Sequence, residues 1–455
     1  MAVCATRMNK EALRERLQRD LGRDPGMLIL AYPYARSWQP ISLSAIRESW
    51  SRVERNRPIS LYVHIPFCRQ KCAFCDFLAY YGRPKSEIDE YLALLRDELR
   101  MVADMTGRLP VEAVQFGGGT PSLLSPEQMA SLMDAITDRF RLMDGAEVAM
   151  EVFPDSEVTT DYLRGWKQAG VNRLSFGIQT FDDEVKCHMG RTDRVADNVA
   201  LIERAVAVGF HNFNVDLMCG VLNQTMESWL RTVELTLELN PGHVCVFPVS
   251  VRHPGTHFYD QRSDLPPTET TRRMYDLAVS RLREAGFRRT TRHDFARPGF
   301  EYRYERMIAE LAPLVGVGAN CINYSCDCIY RNQSDLAKYA AALRRNELPV
   351  RAGHFFPEEE RPHNYAVRNI EYLRLSGQQF ANRFGMSLQA SFGLQVDLFE
   401  ELGLAHMTDG DLVLTEEGIY FTSAVKRAFF HPSAWERFET MKPEEFEIER
   451  GVLHA

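Results

Sequence analysis

The chain has 455 residues, of which 45% are hydrophobic, and it carries a formal net charge of −8. This length predicts one large α/β body with a smaller unit beside it. The acidic balance argues against a protein that binds nucleic acid or a membrane surface, because both need a basic face. The chain has no bilayer-length apolar run, and residues 1–24 lack the apolar core of a signal peptide. Ten cysteines in so long a chain do not suggest a disulfide framework, so we expect a cytoplasmic protein.

The first segment, residues 1–58, is read as an N-terminal extension. It begins with a charged stretch of helical periodicity, Asn9–Leu21, and continues with aromatic residues set between prolines, including Tyr32 and Trp38. These aromatic side chains either pack on the outside of the main domain or form a strap across the mouth of a site. The sequence leaves both possibilities open.

Three cysteines, Cys68, Cys72 and Cys75, follow at C-x3-C-x2-C spacing, directly after a β-like run that ends at Pro66. Thiolates are soft ligands that suit an iron–sulfur cluster or zinc. A closed site needs a fourth ligand, and Phe77 occupies the position two residues beyond the third cysteine. Structural zinc sites usually pair two C-x2-C units, and no second unit is present. The spacing therefore favours an open iron–sulfur site over structural zinc or a chance group of buried thiols.

Strand-like and helix-like segments alternate from residue 59 to residue 255. The predicted strands are Leu61–Ile65, Ala113–Phe116, Glu147–Glu151, Arg173–Phe176, Asn214–Met218 and Val244–Val249. The predicted helices between them are Glu87–Met101, Pro126–Phe140, Thr160–Ala169, Ala196–Val208 and Met226–Glu238. Each helix has apolar residues at i, i+3 and i+4, which is typical of a helix that covers a sheet. Six such units predict a parallel sheet in the form of a partial (β/α)6 barrel of TIM type.

Polar groups and glycines occur where these strands end, which is where a barrel of this kind carries its chemistry. The run Phe116–Pro121 contains three glycines, which form either a tight turn or a close approach to a ligand. Glu151 ends the third strand, Gln179 and Arg191 follow the fourth, and Asp216 lies in the fifth. Side chains of this kind can hold hydroxyl, ammonium and carboxylate groups by charge-assisted hydrogen bonds.

The remaining residues are read as a barrel extension, 256–355, and a C-terminal module, 356–455. The extension contains Cys321, Cys326 and Cys328, which are read as ordinary thiols, with an auxiliary cluster or one catalytic thiol as alternatives. The module combines predicted helices with a hairpin marked by Asp409-Gly410, an arrangement that resembles a winged helix. Because acidic residues surround it, the module is not expected to bind DNA.

The stretch Tyr62-Val-His-Ile-Pro-Phe67 and the three cysteines after it resemble the radical S-adenosylmethionine (SAM) superfamily. The resemblance is to the branch that contains the anaerobic coproporphyrinogen oxidase and its heme-chaperone relatives. Two further segments, Phe295–Gly299 and Gly316–Ala319, are similar to segments of the heme chaperones. The family has the partial barrel expected here, and its C-terminal module packs over the barrel mouth and helps to bind substrate.

The resemblance implies a [4Fe–4S] cluster on Cys68, Cys72 and Cys75, with SAM on its open iron. It also implies an electron donor such as flavodoxin or ferredoxin and a small-molecule substrate. The residues that it assigns to SAM are Tyr62, Phe74, Gly118, Gly119, Thr120, Glu151 and Ile322. It places Gln179, Arg191, Asp216 and Ser250 in the same site, at positions that serve a second SAM molecule in the oxidase. Two SAM molecules per active site are therefore expected.

Two departures from the family influence the expected reaction. The run Tyr304–Ala309 stands where the heme chaperones carry a His-Asn-x-x-Tyr-Trp heme-contact motif, and Phe77 stands where the decarboxylase has a further cysteine. The favoured hypothesis is therefore methyl or methylene transfer from a second SAM to an unsaturated carbon of a natural product, giving C-methylation or cyclopropanation. The alternatives are tetrapyrrole chemistry, either propionate decarboxylation or heme ring opening, and heme delivery without turnover.

Overall fold

The structure is a computed structural model that describes residues 9–21, 32–75, 77–250 and 257–439. Residues 1–8 and 22–24 of the stretch used above to exclude a signal peptide lie outside the described residues. So does the end of the predicted C-terminal module, 440–455. Among the described residues, no helix is both long enough and apolar enough to span a membrane. The division of the chain into four segments stays a prediction.

Six parallel strands form the centre of the fold, and neighbours in the chain are neighbours in the sheet. They are β1 Ile59–Ile65, β4 Pro110–Gly118, β5 Arg141–Val152, β6 Arg173–Gln179, β7 Phe213–Cys219 and β8 His243–Pro248, while two short strands, β2 Phe67–Cys68 and β3 Tyr80–Tyr81, pair separately. The helices between them are α3 Lys85–Thr106, α4 Pro126–Arg139, α5 Thr160–Gln168, α6 Asp183–His188, α7 Val195–Val208 and α8 Met226–Glu238. The predicted partial (β/α)6 barrel is thereby confirmed.

Local signals explain why these helices begin where they do. Ser125 and Thr225 each form a capping box at the start of α4 and α8, and Thr159 caps α5. These side chains satisfy backbone N–H groups that the first helical turn leaves without partners. The apolar faces of the helices then pack on the sheet, where Trp166 and Trp229 are fully buried.

The extension lengthens the sheet at both edges, and the strand order across the whole sheet is β14-β13-β12-β11-β1-β4-β5-β6-β7-β8-β10-β9. Strand β11 adds parallel to β1, whereas β10 adds antiparallel to β8. The elements of this part are α9 His257–Asp260, α10 Thr268–Glu284, β9 Arg288–Arg289, β10 Asp294–Ala296, α11 Arg303–Ala309, β11 Leu314–Val317, β12 Ile322–Tyr324, β13 Cys328–Asn332, α12 Leu336–Arg344 and β14 Val350–Phe355. The strands beyond β11 at one edge and beyond β8 at the other are therefore antiparallel additions to a parallel centre.

The C-terminal module consists of helices and a three-stranded sheet in the order β15-β17-β16. Its elements are α13 Arg361–Asn369, β15 Arg374–Leu375, α14 Gly377–Phe384, α15 Leu388–Glu401, β16 Ala405–Thr408, β17 Asp411–Leu414, α16 Glu416–Tyr420, α17 Thr422–Ala428 and α18 Pro432–Glu439. Asp409 and Gly410 both have positive φ at the tip of the hairpin, as a two-residue type I′ turn requires. Helices followed by a two-stranded wing match the expected winged-helix-like module.

The N-terminal extension packs on this module in its described part. Helix α1 (Lys10–Leu21) contacts α15 and α17, while Leu13 and Leu17 are buried in the hydrophobic cluster of the module. Helix α2 (Leu43–Ser51) lies against the extended sheet, where Trp50 Nε1 donates to Tyr330 Oη at 2.9 Å. Of the two possibilities left open by the sequence, these contacts favour packing over a strap.

Glu98, on α3, joins that helix to the added strands. Its carboxylate accepts hydrogen bonds from Gly318 N, Asn332 Nδ2 and Tyr339 Oη, and the residue is only 1% exposed. Burial raises the pKa of Glu98 to about 7. One buried carboxyl group therefore satisfies three donors from separate parts of the extension.

We predict that Glu98→Leu lowers the free energy of unfolding by about 3 kcal/mol, because three buried donors lose their acceptor. Glu98→Gln costs less, since an amide oxygen can still accept. The folded pKa lies above the unfolded value, so wild-type stability falls as pH rises from about 4.5 toward 7. The Gln variant lacks this part of the pH dependence. Thermal unfolding at pH 5 and pH 8 measures both effects, with the exposed Glu87→Leu as a control; equal midpoints for Glu98→Leu and the control contradict the assignment.

Candidate active site

The loop that carries the three cysteines is held at the carboxyl ends of the barrel strands. It leaves β1 and is anchored by β2 and β3, where Tyr80 N donates to the oxygen of Pro66 at 2.7 Å. Within the loop, Ala73 N donates to the oxygen of Met189 at 2.9 Å, which ties the loop to the segment after α6. Because its two ends are bonded to each other and its middle is bonded to the segment after α6, the loop has a defined position above the strands.

The three thiols are available as ligands. Cys68, Cys72 and Cys75 are present as thiols and are half-buried. Thr120 Oγ1 donates to Cys68 Sγ at 3.3 Å. Burial raises the pKa of the Cys72 thiol, and the positive charge of Arg191 is the largest effect that opposes the rise. Three thiols on one short loop fit an iron–sulfur cluster with an open corner.

The glycines after β4 allow the backbone to approach this loop closely. A Cβ on Gly119 would lie 2.7 Å from the oxygen of Phe67 and 3.0 Å from Cys68 Sγ. A Cβ on Gly117 would lie 2.7 Å from Glu151 Oε1. The predicted glycine run is therefore a close approach of backbone to the site, because side chains at these positions would displace the cysteine loop or Glu151.

Glu151 is the carboxylate nearest to this glycine turn. Its Oε2 accepts from Gly118 N at 3.2 Å, and its Oε1 accepts from Gln115 Nε2 at 3.1 Å. Burial and the nearby carboxyl of Asp216 raise the pKa of Glu151 to about 8. A positively charged ligand at this point would favour the ionised carboxylate, so the turn and Glu151 together form a cradle for an ammonium group.

The polar residues on the following strands lie around the same space. Gln179 ends β6 with φ of +67°, a conformation that is unfavourable for a residue with a side chain and is often found at functional sites. The side chain of Arg191 is 2% exposed. Its Nε donates to Asp193 Oδ1 at 2.8 Å, and its Nη2 has no hydrogen-bond partner among the described residues. Asp216 accepts from Asn214 Nδ2 at 2.7 Å and from Ser175 Oγ at 3.2 Å.

The remaining predicted residues are more widely distributed. Tyr62 is 3% exposed on β1, and its hydroxyl lies 3.2 Å from His64 Nδ1. Phe74 packs on Phe258 with ring centroids 6.3 Å apart. Ser250 follows the end of β8, and Ile322 begins β12 in the same hydrophobic cluster as Tyr62. Their roles toward SAM stay predictions.

Two groups of polar residues near the site were not singled out from the sequence. His64 and Gln115 share the interior face of the barrel with Tyr62 and Glu151, and strand alternation from Tyr62 could have identified His64. The buried pair Lys186 and Asp193 supports Arg191, with a Lys186 Nζ to Asp193 Oδ2 distance of 2.6 Å. No spacing signal marked this pair, because the contact depends on how the loop folds back.

The three later cysteines lie on the added strands or beside them, and their role stays a prediction. Cys321 is fully buried and its Sγ donates to the oxygen of Val317 at 2.9 Å, while Cys326 Sγ donates to the oxygen of Ser49 at 3.5 Å. Burial raises the pKa of the Cys328 thiol to about 12. Among the described residues these cysteines do not form a group that could hold a metal ion.

Comparison with known proteins agrees with this geometry. Residues 62–236 match the Radical SAM superfamily. The heme chaperone HemW of Bacillus subtilis is 32% identical over 81% of this chain and 98% of its own. The oxygen-independent coproporphyrinogen III oxidase of Synechocystis is 27% identical over 80% of this chain and 83% of its own. The solved structure of coproporphyrinogen III oxidase (HemN) from Escherichia coli, a radical SAM enzyme, has a TM-score of 0.80 at 27% identity and covers 88% of this chain and 96% of that one.

These relatives correct the favoured functional hypothesis. Methyl or methylene transfer to a natural product is wrong, since the relatives that match over four-fifths of the chain are coproporphyrinogen oxidases and a heme chaperone. The hypothesis relied on Gln179, Arg191, Asp216 and Ser250, the positions expected to hold a second SAM. Such positions describe cofactor binding and carry no information about the acceptor molecule. Phe77 and the run Tyr304–Ala309 likewise show only that a cysteine of the decarboxylase and a motif of the chaperones are replaced here. Such replacements do not identify a substrate.

We predict that Gly119→Ala lowers the iron content of reconstituted protein about tenfold, because the new methyl group would displace Cys68 or the backbone before it. Iron per chain and absorbance near 400 nm after anaerobic reconstitution measure this effect. Gly393→Ala, on α15, is the control, since its nearest contact is the flexible side chain of Gln389. Full iron loading of Gly119→Ala with unchanged circular dichroism contradicts the assigned close approach.

Proposed function

The chain belongs to the radical SAM family of the oxygen-independent coproporphyrinogen III oxidases and HemW proteins, and from this premise we propose that it is a radical SAM oxidoreductase acting on a tetrapyrrole. Its cofactors are a [4Fe–4S] cluster and SAM. The observation that carries the proposal is the cradle of Gly117–Thr120 and Glu151 directly beside the three thiols. The reaction that we propose is oxidative decarboxylation of a propionate side chain to a vinyl group, in which carbon dioxide leaves, 5′-deoxyadenosine carries away one hydrogen atom, and one electron passes to an oxidised electron carrier.

When bound, the cluster and SAM supply one-electron cleavage of SAM to methionine and a 5′-deoxyadenosyl radical. The residues of the chain hold and orient the reactants. Glu151 accepts from the α-ammonium of SAM, and the glycine turn lets backbone groups approach the methionine part. Tyr62, Phe74 and Ile322 supply apolar contacts for the same SAM molecule.

A second SAM molecule is part of the proposal, with Gln179, Arg191, Asp216 and Ser250 as its contacts. The unpaired Nη2 of buried Arg191 supports it, because a guanidinium of this kind favours a carboxylate partner. Asp193 and Lys186 position Arg191. The number of SAM molecules per chain is measured by equilibrium dialysis of the reconstituted protein.

The barrel interior suits a substrate that donates hydrogen bonds. Glu151 and Asp216 face each other across it, and burial raises the pKa of both carboxyl groups. Pyrrole N–H groups of a reduced tetrapyrrole can donate to such carboxyl oxygens. Both carboxyl groups also serve the SAM sites proposed above, so pyrrole N–H groups would donate to the lone pairs of their oxygens that the SAM contacts do not use.

Electron delivery by flavodoxin or ferredoxin is part of the same proposal. Arg69 and Lys71 are exposed on the cysteine loop, beside the thiols. Arg69 is paired there with Asp155 and Glu157, so the proposed carrier rests on the need of the reaction for one electron and not on a positive patch.

Heme delivery is the second candidate, because HemW matches over 98% of its own length. The run Tyr304–Ala309 argues against it. Where the chaperones are expected to contact heme, this run belongs to helix α11, which packs on β1 and β4 with Tyr304 and Met307 buried. Residues packed in this way cannot reach a heme without unfolding of the helix.

We predict that Glu151→Gln weakens SAM binding about tenfold, because a charge-assisted hydrogen bond becomes a neutral one. In the wild type, affinity rises with pH up to about 8, since the unliganded carboxyl is protonated below that pH and only the carboxylate pairs with the ammonium. The Gln variant lacks this rise. Equilibrium dialysis of reconstituted protein between pH 6.5 and 8.5 tests both statements, and a parallel pH dependence in both proteins contradicts the role of Glu151.

We predict that reconstituted protein with SAM, reduced flavodoxin and coproporphyrinogen III releases carbon dioxide and 5′-deoxyadenosine. Asp216→Asn is expected to lower this rate at least about tenfold without loss of iron, because it removes a charged acceptor from the interior. Asp134→Asn, exposed on α4, is the matched control. Stoichiometric heme binding without deoxyadenosine formation would reject the enzymatic proposal in favour of heme delivery.

A further inference from the structure

Three potential metal ligands meet inside the barrel wall, away from the cysteine loop. His243 and Cys245 project from one face of β8, and Asp294 stands opposite Cys245 where β10 pairs antiparallel with β8. One donor atom from each of the three lies within 4.8 Å of the other two. Their exposed fractions are 1%, 7% and 7%, so the group is buried.

The hydrogen bonds around His243 determine which ring nitrogen carries the proton. Asn214 Nδ2 donates to Asp216 Oδ1 and to Ser175 Oγ, both at 2.7 Å, which leaves Asn214 Oδ1 as an acceptor. This oxygen lies 2.8 Å from His243 Nδ1, so Nδ1 is the protonated nitrogen. His243 Nε2 then presents a lone pair; among the residues that the structure describes it has no hydrogen-bond partner, and it lies 3.6 Å from Asp294 Oδ1. Two acceptors face each other in a buried site, an arrangement that a cation between them would stabilise.

The charges around the group also favour a cation. Cys245 Sγ donates to Asp294 Oδ1 at 2.9 Å, so the sulfur and the carboxylate oxygen are in direct contact. The ionisable groups that act on the three residues are the carboxyls of Asp216, Glu305 and Glu371 and the guanidinium of Arg173. Carboxyl groups outnumber the single positive group, so a divalent ion would lower the electrostatic cost of burying them.

We propose that His243, Cys245 and Asp294 bind one zinc ion. Nitrogen, sulfur and oxygen donors together suit zinc, and three protein ligands leave a fourth position for water or a substrate atom. On binding, the Cys245 thiol loses its proton to solvent, so that thiolate, carboxylate and zinc sum to zero charge. The hydrogen bond from His243 Nδ1 to Asn214 is the outer contact that orients a metal-bound imidazole. The site adjoins the barrel interior, because Asn214 bonds both His243 and Asp216, but zinc binding itself does not require the radical reaction.

The first test uses the whole protein with its iron–sulfur cluster in place. Zinc added to reconstituted protein is expected to remain at about one ion per chain after gel filtration. Zinc-edge X-ray absorption should show about one sulfur at about 2.3 Å, with nitrogen and oxygen in the other positions. A first shell with three or more sulfurs would place the zinc on the cysteine loop and overturn the proposal. Failure to retain zinc would overturn it as well.

The second test uses variants with a matched control. Cys245→Ala and His243→Gln are each expected to lower retained zinc about tenfold, because a three-ligand site loses one ligand. Cys219→Ala is the control, since Cys219 is an equally buried thiol on β7 outside the group. Cluster absorbance near 400 nm and circular dichroism report whether each variant is folded. Unchanged zinc in folded Cys245→Ala and His243→Gln would overturn the assignment.

Discussion

The bonding of Glu151 to the turn after β4 is the interaction on which the arrangement of the site depends. The carboxylate accepts from Gly118 N and from Gln115, and the same turn carries Thr120, which donates to Cys68. One set of hydrogen bonds therefore connects strand β5, the glycine turn and the cysteine loop. Glycine is needed in this turn because a Cβ on Gly117 or Gly119 would fall within 3 Å of Glu151 or the loop backbone.

The barrel explains why so many polar side chains can be buried together. Residues two apart on a strand face the same side, so polar side chains of neighbouring strands can meet in the interior. Gln115 bonds Glu151 in this way, and Ser175 bonds Asp216. Each buried polar atom costs free energy unless it has a partner. The network that includes Ser175 and Asn214 supplies such partners, whereas Nη2 of Arg191 has none among the described residues.

The segments outside the barrel determine which surfaces remain accessible. Helix α11 packs on β1 and β4. Tyr304, Met307 and Ala309 of the run Tyr304–Ala309 are buried in that packing. The N-terminal helix packs on α15 and α17, and Arg14 pairs with Glu401 at 2.6 Å across that interface. The two ends of the described chain are thereby held against each other.

Short-range patterns in the sequence were sufficient for the fold and for the cysteine loop, whereas SAM was implied by the resemblance to the family. Helical periodicity and strand alternation depend on neighbours within one turn or one strand, so the six β/α units and the hairpin at Asp409-Gly410 could be read directly. The three cysteines lie within eight residues, so their spacing alone predicted a ligand loop. The substrate class was misjudged because the residues that were read were chosen as expected contacts of SAM, and such contacts do not identify the acceptor molecule.

Only the tertiary structure brought together residues that are distant in the chain. Cys245 and Asp294 are separated by 49 positions and meet because β10 pairs antiparallel with β8 at one particular register. A shift of one residue would turn Asp294 to the opposite face of the sheet. The register results from packing over the whole barrel, and no local pattern encodes it. The sequence by itself therefore determined the repeating units and the cysteine loop, whereas the long-range contacts inside the barrel were decided by the fold.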